Sequence, residues 1–347
     1  MWSANKKIRV MVVDDSVLAR TIITQGLGKH PRIEIVGTAF NPRDAMAKIP
    51  QMRPDVITSD IEMPGMSGLD FLKQLLPKYP LPVILVSSLN LRVFDALSAG
   101  AVDFVRKPDS SQSNDVFINN LTQKVISAAG AKVRQAPPSS ITKAAPVAPL
   151  GARPNLDNVI IALGASTGGT EATLEVLKRL PADIPGMLIV QHMPTGFTQM
   201  YAERLNRLCN MEVREAKNGD EVRRGLALLA PADYQMRIVR SGSRYTVSCA
   251  QGEKVSGHRP SVDALFFSMA EQVRCKMVGI IMTGMGRDGA DGLLQMRKAG
   301  AFTIGQDKDS CVVYGMPMVA YNIGAVQIQA SCENISSVLL RQLNTLH

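Results

Sequence analysis

Acidic side chains in the first third of the chain occur where apolar runs end. Asp14 and Asp15 follow the first such run, and Asp60 follows a later one. Carboxylates that are brought together repel one another unless a cation lies between them, and oxygen ligands favour a hard divalent ion. Lys107 and Ser87, after two further apolar runs, supply a positive charge and a hydroxyl for phosphoryl oxygens. The pattern predicts a site that holds Mg²⁺ and accepts a phosphoryl group.

A second set of residues, in the later half of the chain, is typical of a hydroxyl nucleophile. Ser166 lies in the sequence Gly-Ala-Ser-Thr-Gly-Gly, which follows a strand pattern and precedes a helix pattern. Small residues allow the chain to turn sharply and to present the Ser166 hydroxyl at a helix N-terminus, where N–H groups favour negative charge. The spacing alone is also compatible with a phosphate-binding glycine loop or with a plain tight turn.

The general base of such a nucleophile would be one of the four histidines. His192 follows an apolar run, where α/β sheets place functional groups, so the spacing favours it. His258 precedes a helix pattern, and it could cap that helix or line a substrate cleft. Asp288, in a glycine-rich turn, could fix the imidazole tautomer or serve only as a turn residue. The candidate acyl-transfer residues are therefore Ser166, His192 and Asp288.

The composition predicts an ordered protein of about two domains. The chain has 347 residues, which is too long for one typical core. Apolar residues make up 46% of it, which is too many for a disordered protein. Its net charge of +9 is spread evenly, with +3 in each of 1–130, 131–157 and 158–347. Because a nucleic-acid surface normally shows a local basic cluster, we expect no nucleic-acid partner. The five cysteines show no metal-like spacing, so we expect neither a disulfide framework nor a zinc site.

Short apolar runs alternate with amphipathic stretches in the first part of the chain. Strands are predicted at 8–13, 33–37, 56–59, 83–86 and 102–105, and helices near 16–28, 42–50, 67–78, 91–99 and 114–129. Five βα repeats with buried strands indicate a flavodoxin-like domain, with a five-stranded parallel doubly wound sheet. Ligands of such sheets bind beyond the carboxyl ends of the strands, where the acidic residues fall.

The segment 131–157 is rich in Pro, Ala and Ser and has no periodic apolar face, so it is predicted to be a semi-extended linker. A second α/β series follows over 158–347. Its strands are predicted at 159–163, 187–191, 226–230, 277–283 and 302–305, its helices near 170–179, 195–208, 261–274, 289–299 and 333–346, and two short strands around 234–250. This part is predicted to be a doubly wound α/β hydrolytic domain with a mostly parallel sheet.

Residues 7–126 resemble the receiver domains of two-component response regulators. The resemblance rests on the acidic pair, the segment Asp60-Ile61-Glu62-Met63-Pro64, the serine and Lys107-Pro108. It implies that Asp60 accepts the phosphoryl group, that Ser87 and Lys107 contact it, and that a chemotaxis histidine kinase donates it. It also implies a set of Mg²⁺ ligands: Asp15, Asp60 and the carbonyl of Glu62, with Asp14 assisting.

Residues 157–346 resemble the catalytic domain of chemotaxis-type protein-glutamate methylesterases. The matching motifs cover 165–169, 191–194, 257–263 and 284–289. The resemblance implies Ser166 as nucleophile, His192 as general base and then acid, and Asp288 as the residue that orients it. It further implies the Met285 backbone N–H in the oxyanion hole, Thr167 and His258 at the substrate cleft, and no cofactor for the hydrolase. The chain order Ser, His, Asp differs from the Ser, Asp, His order of ordinary α/β-hydrolases.

The two resemblances together imply a phosphorylation-activated serine hydrolase. It would demethylate glutamate methyl esters on chemoreceptors and deamidate specific receptor glutamines, and the unphosphorylated receiver would lie over the catalytic cleft. Two other interpretations compete: a receiver-gated binding regulator without chemistry, and a regulator with a DNA-binding output. The complete Ser, His and Asp set argues against the first. A glycine-rich α/β series in place of a basic helix-turn-helix argues against the second.

The sequence predicts a cytoplasmic protein that does not insert into a membrane. No apolar run approaches the ~20 residues that span a bilayer. The first residues, Met-Trp-Ser-Ala-Asn-Lys-Lys, contain no long apolar segment of the kind found in secretory signals.

Overall fold

The computed structural model describes residues 6–88, 92–108, 113–133, 145, 147–151 and 154–345. These divide into two compact units, Met1–Ser139 and Ser140–His347. About half of the predicted linker at 131–157 lies outside the described residues, namely 134–144, 146, 152 and 153. Among the described residues, no helix is both long enough and apolar enough to cross a membrane.

The first unit is a five-stranded sheet with the strand order β2-β1-β3-β4-β5, and every pair is parallel. Its strands are β1 (Ile8–Val13), β2 (Ile33–Ala39), β3 (Val56–Asp60), β4 (Val83–Ser87) and β5 (Asp103–Arg106). Its helices are α1 (Val17–Gly28), α2 (Pro42–Met52), α3 (Gly68–Leu75), α4 (Arg92–Ser98) and α5 (Asn114–Ala128). This is the predicted doubly wound receiver fold, which is confirmed.

Helix starts in this unit are fixed by side chains that cap them. Ser16, Asn41, Ser67 and Ser113 each accept a hydrogen bond from the backbone N–H three residues further on, which satisfies one of the free donors of the first turn. Strands β1 and β3 are parallel neighbours, so their carboxyl ends lie at the same edge of the sheet. The polar residues at those ends therefore meet there.

The second unit contains a seven-stranded sheet with the order β14-β13-β12-β6-β7-β9-β8, and all of its pairs are parallel. Its strands are β6 (Val159–Ala165), β7 (Gly186–Gln191), β8 (Glu212–Glu215), β9 (Leu226–Leu229), β12 (Lys276–Ile281), β13 (Phe302–Gln306) and β14 (Ile328–Ala330). An antiparallel hairpin of β10 (Gln235–Ser241) and β11 (Arg244–Ala250) stands apart from this sheet.

Helices of the second unit follow the strands in the usual α/β manner. They are α6 (Gly169–Leu177), α7 (Phe197–Leu208), α8 (Val262–Gln272), α9 (Ala290–Lys298), α10 (Met316–Asn322) and α11 (Ile335–Thr345), after a short 3-10 helix at Pro154–Asn158. The chain moves outward from β6 through β7 on one side and later through β12 on the other. The strand order therefore reverses at β6, and such a switch point opens a crevice at the carboxyl ends of the strands.

Candidate active site and phosphoryl-acceptor site

Three neighbouring strands of the second unit bring the predicted acyl-transfer residues together. Ser166 follows β6, His192 follows β7 on one side of it, and Asp288 lies in the turn between β12 and α9 on the other side. The Nδ1 atom of His192 is 3.1 Å from Ser166 Oγ, and its Nε2 atom is 2.8 Å from Asp288 Oδ2. The hydroxyl, imidazole and carboxylate thus form one hydrogen-bonded chain at the switch point of the sheet.

The turn that carries Ser166 is held by close backbone packing. Gly168 has φ +77°, and a Cβ atom there would lie 2.5 Å from Val312 Cβ, so no other residue fits without strain. Gly284 passes so near that a Cβ on it would lie 2.7 Å from Ser166 Cβ. The Ser166 N–H donates to the Thr283 carbonyl at 3.0 Å. These contacts fix the hydroxyl at the carboxyl end of β6.

Asp288 is almost fully buried and accepts four hydrogen bonds. His192 Nε2 and the Val262 N–H donate to Oδ2, each at 2.8 Å. Ser261 Oγ and the Asp263 N–H donate to Oδ1, at 2.7 and 2.9 Å. Burial by itself would raise the pKa of Asp288, but the His192 interaction and the other hydrogen bonds outweigh it and hold that pKa below its ordinary value. The carboxylate therefore stays ionised.

An ionised carboxylate can only accept hydrogen bonds, and this settles the tautomer of His192. The ring proton lies on Nε2, where it is donated to Asp288, so Nδ1 carries the lone pair and faces the Ser166 hydroxyl. A neutral imidazole with its lone pair on the hydroxyl can accept the proton of that hydroxyl, which is the first requirement of nucleophilic catalysis.

The second histidine that the sequence left open, His258, lies parallel to His192. The ring centroids are 4.0 Å apart and the planes differ by 6°. Its Nδ1 atom is 2.8 Å from the Ser256 carbonyl and 3.9 Å from Asp288 Oδ2. His192, His258 and Asp288 could offer a metal one atom each. However, ring-nitrogen lone pairs lie in the ring planes, so two parallel stacked rings do not direct them at a common ion.

Two further predicted residues lie around the nucleophile. Thr167 is buried and its carbonyl accepts a hydrogen bond from Thr283 Oγ1 at 2.9 Å. Met285 follows Gly284, the residue packed against Ser166, and its side chain is partly exposed. The backbone of this turn therefore packs closely against Ser166.

The acidic residues of the first unit also meet. Ligand atoms of Asp14, Asp15 and Asp60 lie within 4.8 Å of one another, the arrangement that suits a divalent cation. Asp14 Oδ2 is buried and accepts no hydrogen bond, although Lys107 Nζ is 3.1 Å from it in an ion pair without hydrogen-bond geometry. A buried carboxylate oxygen with spare lone pairs fits a metal ligand. The residues present therefore fit Mg²⁺.

Lys107 bridges the acidic cluster through its Nζ atom, which lies 2.6 Å from Asp60 Oδ2. Burial raises the pKa of Asp60, and the charge of Asp14 adds to this, while Lys107 opposes it. Although burial alone would lower the pKa of Lys107, the hydrogen bond and charge of Asp60 and the charge of Asp14 raise it, so the ammonium stays protonated. The predicted site thus contains the partly buried carboxylate of Asp60 beside the protonated ammonium of Lys107.

The remaining predicted residues of this site lie around Asp60. The Ser87 hydroxyl is buried at the end of β4 and donates to the Ser88 carbonyl at 2.9 Å. The Glu62 N–H donates to Asp60 Oδ1 at 3.2 Å, while its carboxylate accepts from Ser88 Oγ at 3.3 Å. Hydrogen bonds therefore join Asp60, Glu62 and Ser88, and Ser87 ends the strand that pairs with β3.

Several residues that shape these sites escaped the sequence analysis. Arg20, on α1, donates to the carbonyls of Asp14 and Asp15 at 2.6 and 3.0 Å and so fixes the acidic loop. Gln191 Nε2 donates to the Ser166 carbonyl at 2.8 Å, and Ser261 contacts Asp288. Gln191 and Ser261 both lie inside quoted motifs, but a motif does not reveal which atom a side chain contacts.

Two protein families match separate parts of the chain. The CheB methylesterase family matches residues 161–339, and the response regulator receiver domain matches residues 10–115. The chain is 49% identical to protein-glutamate methylesterase/protein-glutamine glutaminase 2 of Syntrophomonas wolfei, over 98% of this chain and 99% of the relative. It is 44% identical to an Escherichia coli protein-glutamate methylesterase/protein-glutamine glutaminase, over 97% of each.

A solved structure is similar to the second unit. It is the CheB methylesterase catalytic domain of Thermotoga maritima, with a TM-score of 0.52 and 32% identity. The alignment covers 53% of this chain and 97% of the Thermotoga maritima domain.

Proposed function

Because this chain belongs to the CheB methylesterase family and carries a receiver domain, we propose that it is a phosphorylation-activated protein-glutamate methylesterase and protein-glutamine glutaminase. The observation that supports it most directly is the continuous hydrogen-bonded chain from Ser166 through His192 to Asp288. The substrates are methylated glutamates and specific glutamines of chemoreceptors, and the protein acts in the cytoplasm.

The hydrolysis proceeds through an acyl-enzyme. Ser166 Oγ attacks the carbonyl carbon of the glutamate methyl ester while His192 Nδ1 accepts the hydroxyl proton. His192 then gives that proton to the leaving oxygen, so that methanol departs and an ester of Ser166 remains. Water attacks this ester with His192 again as base, which releases the glutamate carboxylate and restores the Ser166 hydroxyl. With a glutamine substrate the same route releases ammonia.

Charge that develops during these steps has two partners. The imidazolium of His192 is paired with the ionised carboxylate of Asp288. The Met285 backbone N–H is the proposed donor to the oxyanion, and its position after Gly284, beside Ser166, supports this. Each such donor contributes roughly 3 kcal/mol to lowering the barrier. His258 and Thr167 are the proposed walls of the substrate cleft.

The receiver uses Asp60 as the phosphoryl acceptor. A carboxylate oxygen of Asp60 attacks the phosphorus of a phosphohistidine on the kinase, and the P–N bond breaks. Lys107 offsets the charge of the transferred group, and Ser87 bonds to it. Asp14, Asp15, Asp60 and the Glu62 carbonyl would hold Mg²⁺, which when bound neutralises the carboxylates and polarises the phosphoryl oxygens.

The proposed domains are a receiver at 7–126, a linker at 131–157 and a catalytic domain at 158–347. The two compact units and the separate family matches support this division. In the unphosphorylated protein the receiver restricts access to the catalytic cleft, and phosphorylation of Asp60 relieves the restriction through the linker. A chemotaxis histidine kinase supplies the phosphoryl group.

Methanol release tests this proposal directly. Full-length protein is incubated with methylated chemoreceptor cytoplasmic fragments and Mg²⁺, with and without a small-molecule phosphoryl donor. We expect the donor to stimulate methanol release by the natural chain but not by Asp60→Asn. Residues 150–347 alone should release methanol faster than the unphosphorylated full chain. A natural chain that releases no methanol with the donor, across a panel of receptors, would contradict the proposed activity.

The acidic site predicts a pH-dependent stabilisation by Mg²⁺. Because the folded-state pKa of Asp60 is raised, the metal-free receiver gains stability as pH falls through that pKa, and protons compete with Mg²⁺ for the same carboxylate. At about 100 times its Kd, Mg²⁺ should add about 2.7 kcal/mol to the free energy of unfolding. Thermal unfolding should therefore show a Mg²⁺-dependent rise in Tm near neutral pH that shrinks in acid. An equal rise at all pH values, or one that persists in Asp60→Asn, would refute this.

A further inference from the structure

The carboxylate of Asp288 lies at the N-terminus of helix α8, and this helix supplies three of its four hydrogen bonds. Val262 and Asp263 donate their backbone N–H groups, and Ser261 donates its hydroxyl at 2.7 Å. Free N–H groups and the helix dipole favour a negative charge at this position. The helix therefore holds the carboxylate that pairs with His192.

The Ser261 side chain differs from the other two donors because it serves two groups at once. Its hydroxyl proton goes to Asp288 Oδ1, while its oxygen accepts from the Ala264 N–H at 3.2 Å and so caps α8. The Ser261 N–H is fixed in turn by Gln235 Oε1 at 2.9 Å. The whole residue is inaccessible to solvent, so water does not compete with its hydroxyl for Asp288 in the natural chain.

We propose that Ser261 is a positioning residue of the hydrolase, whose hydroxyl fixes the carboxylate of Asp288 so that Oδ2 faces His192. This inference rests on the proposed function, because it assigns a role in the same reaction. Without the hydroxyl, Oδ1 keeps only the Asp263 N–H, and the carboxylate can rotate away from the line between Oδ2 and His192 Nε2. The Ser261 hydroxyl hydrogen-bonds to Asp288 and to the Ala264 N–H, so it acts on the reaction through Asp288.

Loss of the hydroxyl should change both the rate and the pH dependence. Removing one charge-assisted hydrogen bond should lower kcat by roughly 10-fold to 100-fold. A carboxylate that has turned away from His192 stabilises the imidazolium less, so the acid limb of the pH–rate profile should move to lower pH. His192, His258 and Asp263 are the titratable groups that interact with Asp288 from the surrounding elements.

Two substitutions separate the hydroxyl from the helix cap. Ser261→Ala removes both the donor and the cap, whereas Ser261→Gly removes the donor but leaves a residue that helix N-termini tolerate well. Ser268→Ala is the matched control: Ser268 is a buried serine of the same helix, and its hydroxyl donates to the Leu265 carbonyl and accepts from the Ile238 N–H instead of contacting Asp288. We expect both Ser261 variants to lose rate and shift the acid limb, and the control to do neither.

The experiment measures the labelling rate of Ser166 by a fluorophosphonate, together with methanol release from methylated receptor fragments. Full-length protein is used with Mg²⁺ and a small-molecule phosphoryl donor, between about pH 5 and about pH 9. Each Ser261 change is also made in an Asp288→Ala background. Because no carboxylate remains there to be positioned, the second substitution should lower the labelling rate less than twofold further.

The outcomes separate this inference from the proposed function. An equal rate loss in the natural and Asp288→Ala backgrounds, with no shift of the acid limb, would reduce Ser261 to a helix cap and overturn the proposal. Unchanged labelling in both Ser261 variants would overturn it as well. If the natural chain neither labels at Ser166 nor releases methanol, it is the proposed hydrolase that fails.

Discussion

Replacement of Ser166 by alanine should lower methanol release by about 10⁶-fold while Asp60 still accepts a phosphoryl group. The Ser166 hydroxyl is the group within hydrogen-bond reach of His192 Nδ1, and alanine offers no atom that can attack the ester carbon. The substitution removes one oxygen at a site packed closely by Gly284 and Val312, so the turn keeps its backbone. Methanol release and Asp60 phosphorylation are measured on the same preparation.

A matched control for this variant is Ser336→Ala, the same change at a buried serine of α11 in the same unit. It should leave methanol release close to that of the natural chain. Turnover that survives in Ser166→Ala would show that another group attacks the ester. Loss of Asp60 phosphorylation together with turnover would instead indicate a folding defect.

The central strands of both sheets could be predicted because they are continuous apolar runs. The segments 8–13 and 187–191 were predicted to within one residue of β1 and β7. Strands β8 and β14 were missed, since Glu-Val-Arg-Glu has one apolar residue and Ile-Gln-Ala is only three residues long. Both lie at an edge of the sheet, where one side needs no apolar cover. The short helix α10 was missed for a similar reason: it has seven residues and a proline in its first turn.

The candidate sites could be predicted as far as they depend on strand ends. Ser166, His192 and Asp60 immediately follow or end buried strands, and the parallel topology brings such residues to one edge. The spacing favours His192 over His258 as the base, but it does not reveal that the two rings are stacked and that both approach Asp288. His192 differs from His258 by its hydrogen bonds to Ser166 and to Asp288.

The environment of Asp288 could not be predicted for another physical reason. Two of its four donors are backbone N–H groups, which every residue except proline possesses, so residue type carries no signal for them. Their position depends on how α8 is docked against the turn after β12.

Asp288→Asn should lower kcat by about 10⁴-fold, although it changes the volume of the side chain hardly at all. The native carboxylate accepts four hydrogen bonds, and an amide has one oxygen to accept them and an NH₂ group that can only donate. If the NH₂ group takes the place of Oδ2, it opposes the Val262 N–H and forces His192 to protonate Nδ1, which removes the base. If it takes the place of Oδ1, it opposes the Asp263 N–H, and His192 loses the negative charge that stabilises its imidazolium.

Steady-state methanol release and fluorophosphonate labelling of Ser166 would both report this loss. Asp291→Asn provides the control, because Asp291 is a partly exposed carboxylate in the first turn of the adjacent helix α9, paired with Arg287 at 2.7 Å. Surface ion pairs of this kind contribute about 0–1 kcal/mol, so its effect on rate should be small. Should Asp288→Asn retain more than about a tenth of the natural rate, the charge of this carboxylate would not be needed, and the His192–Asp288 bond would serve only to orient the ring.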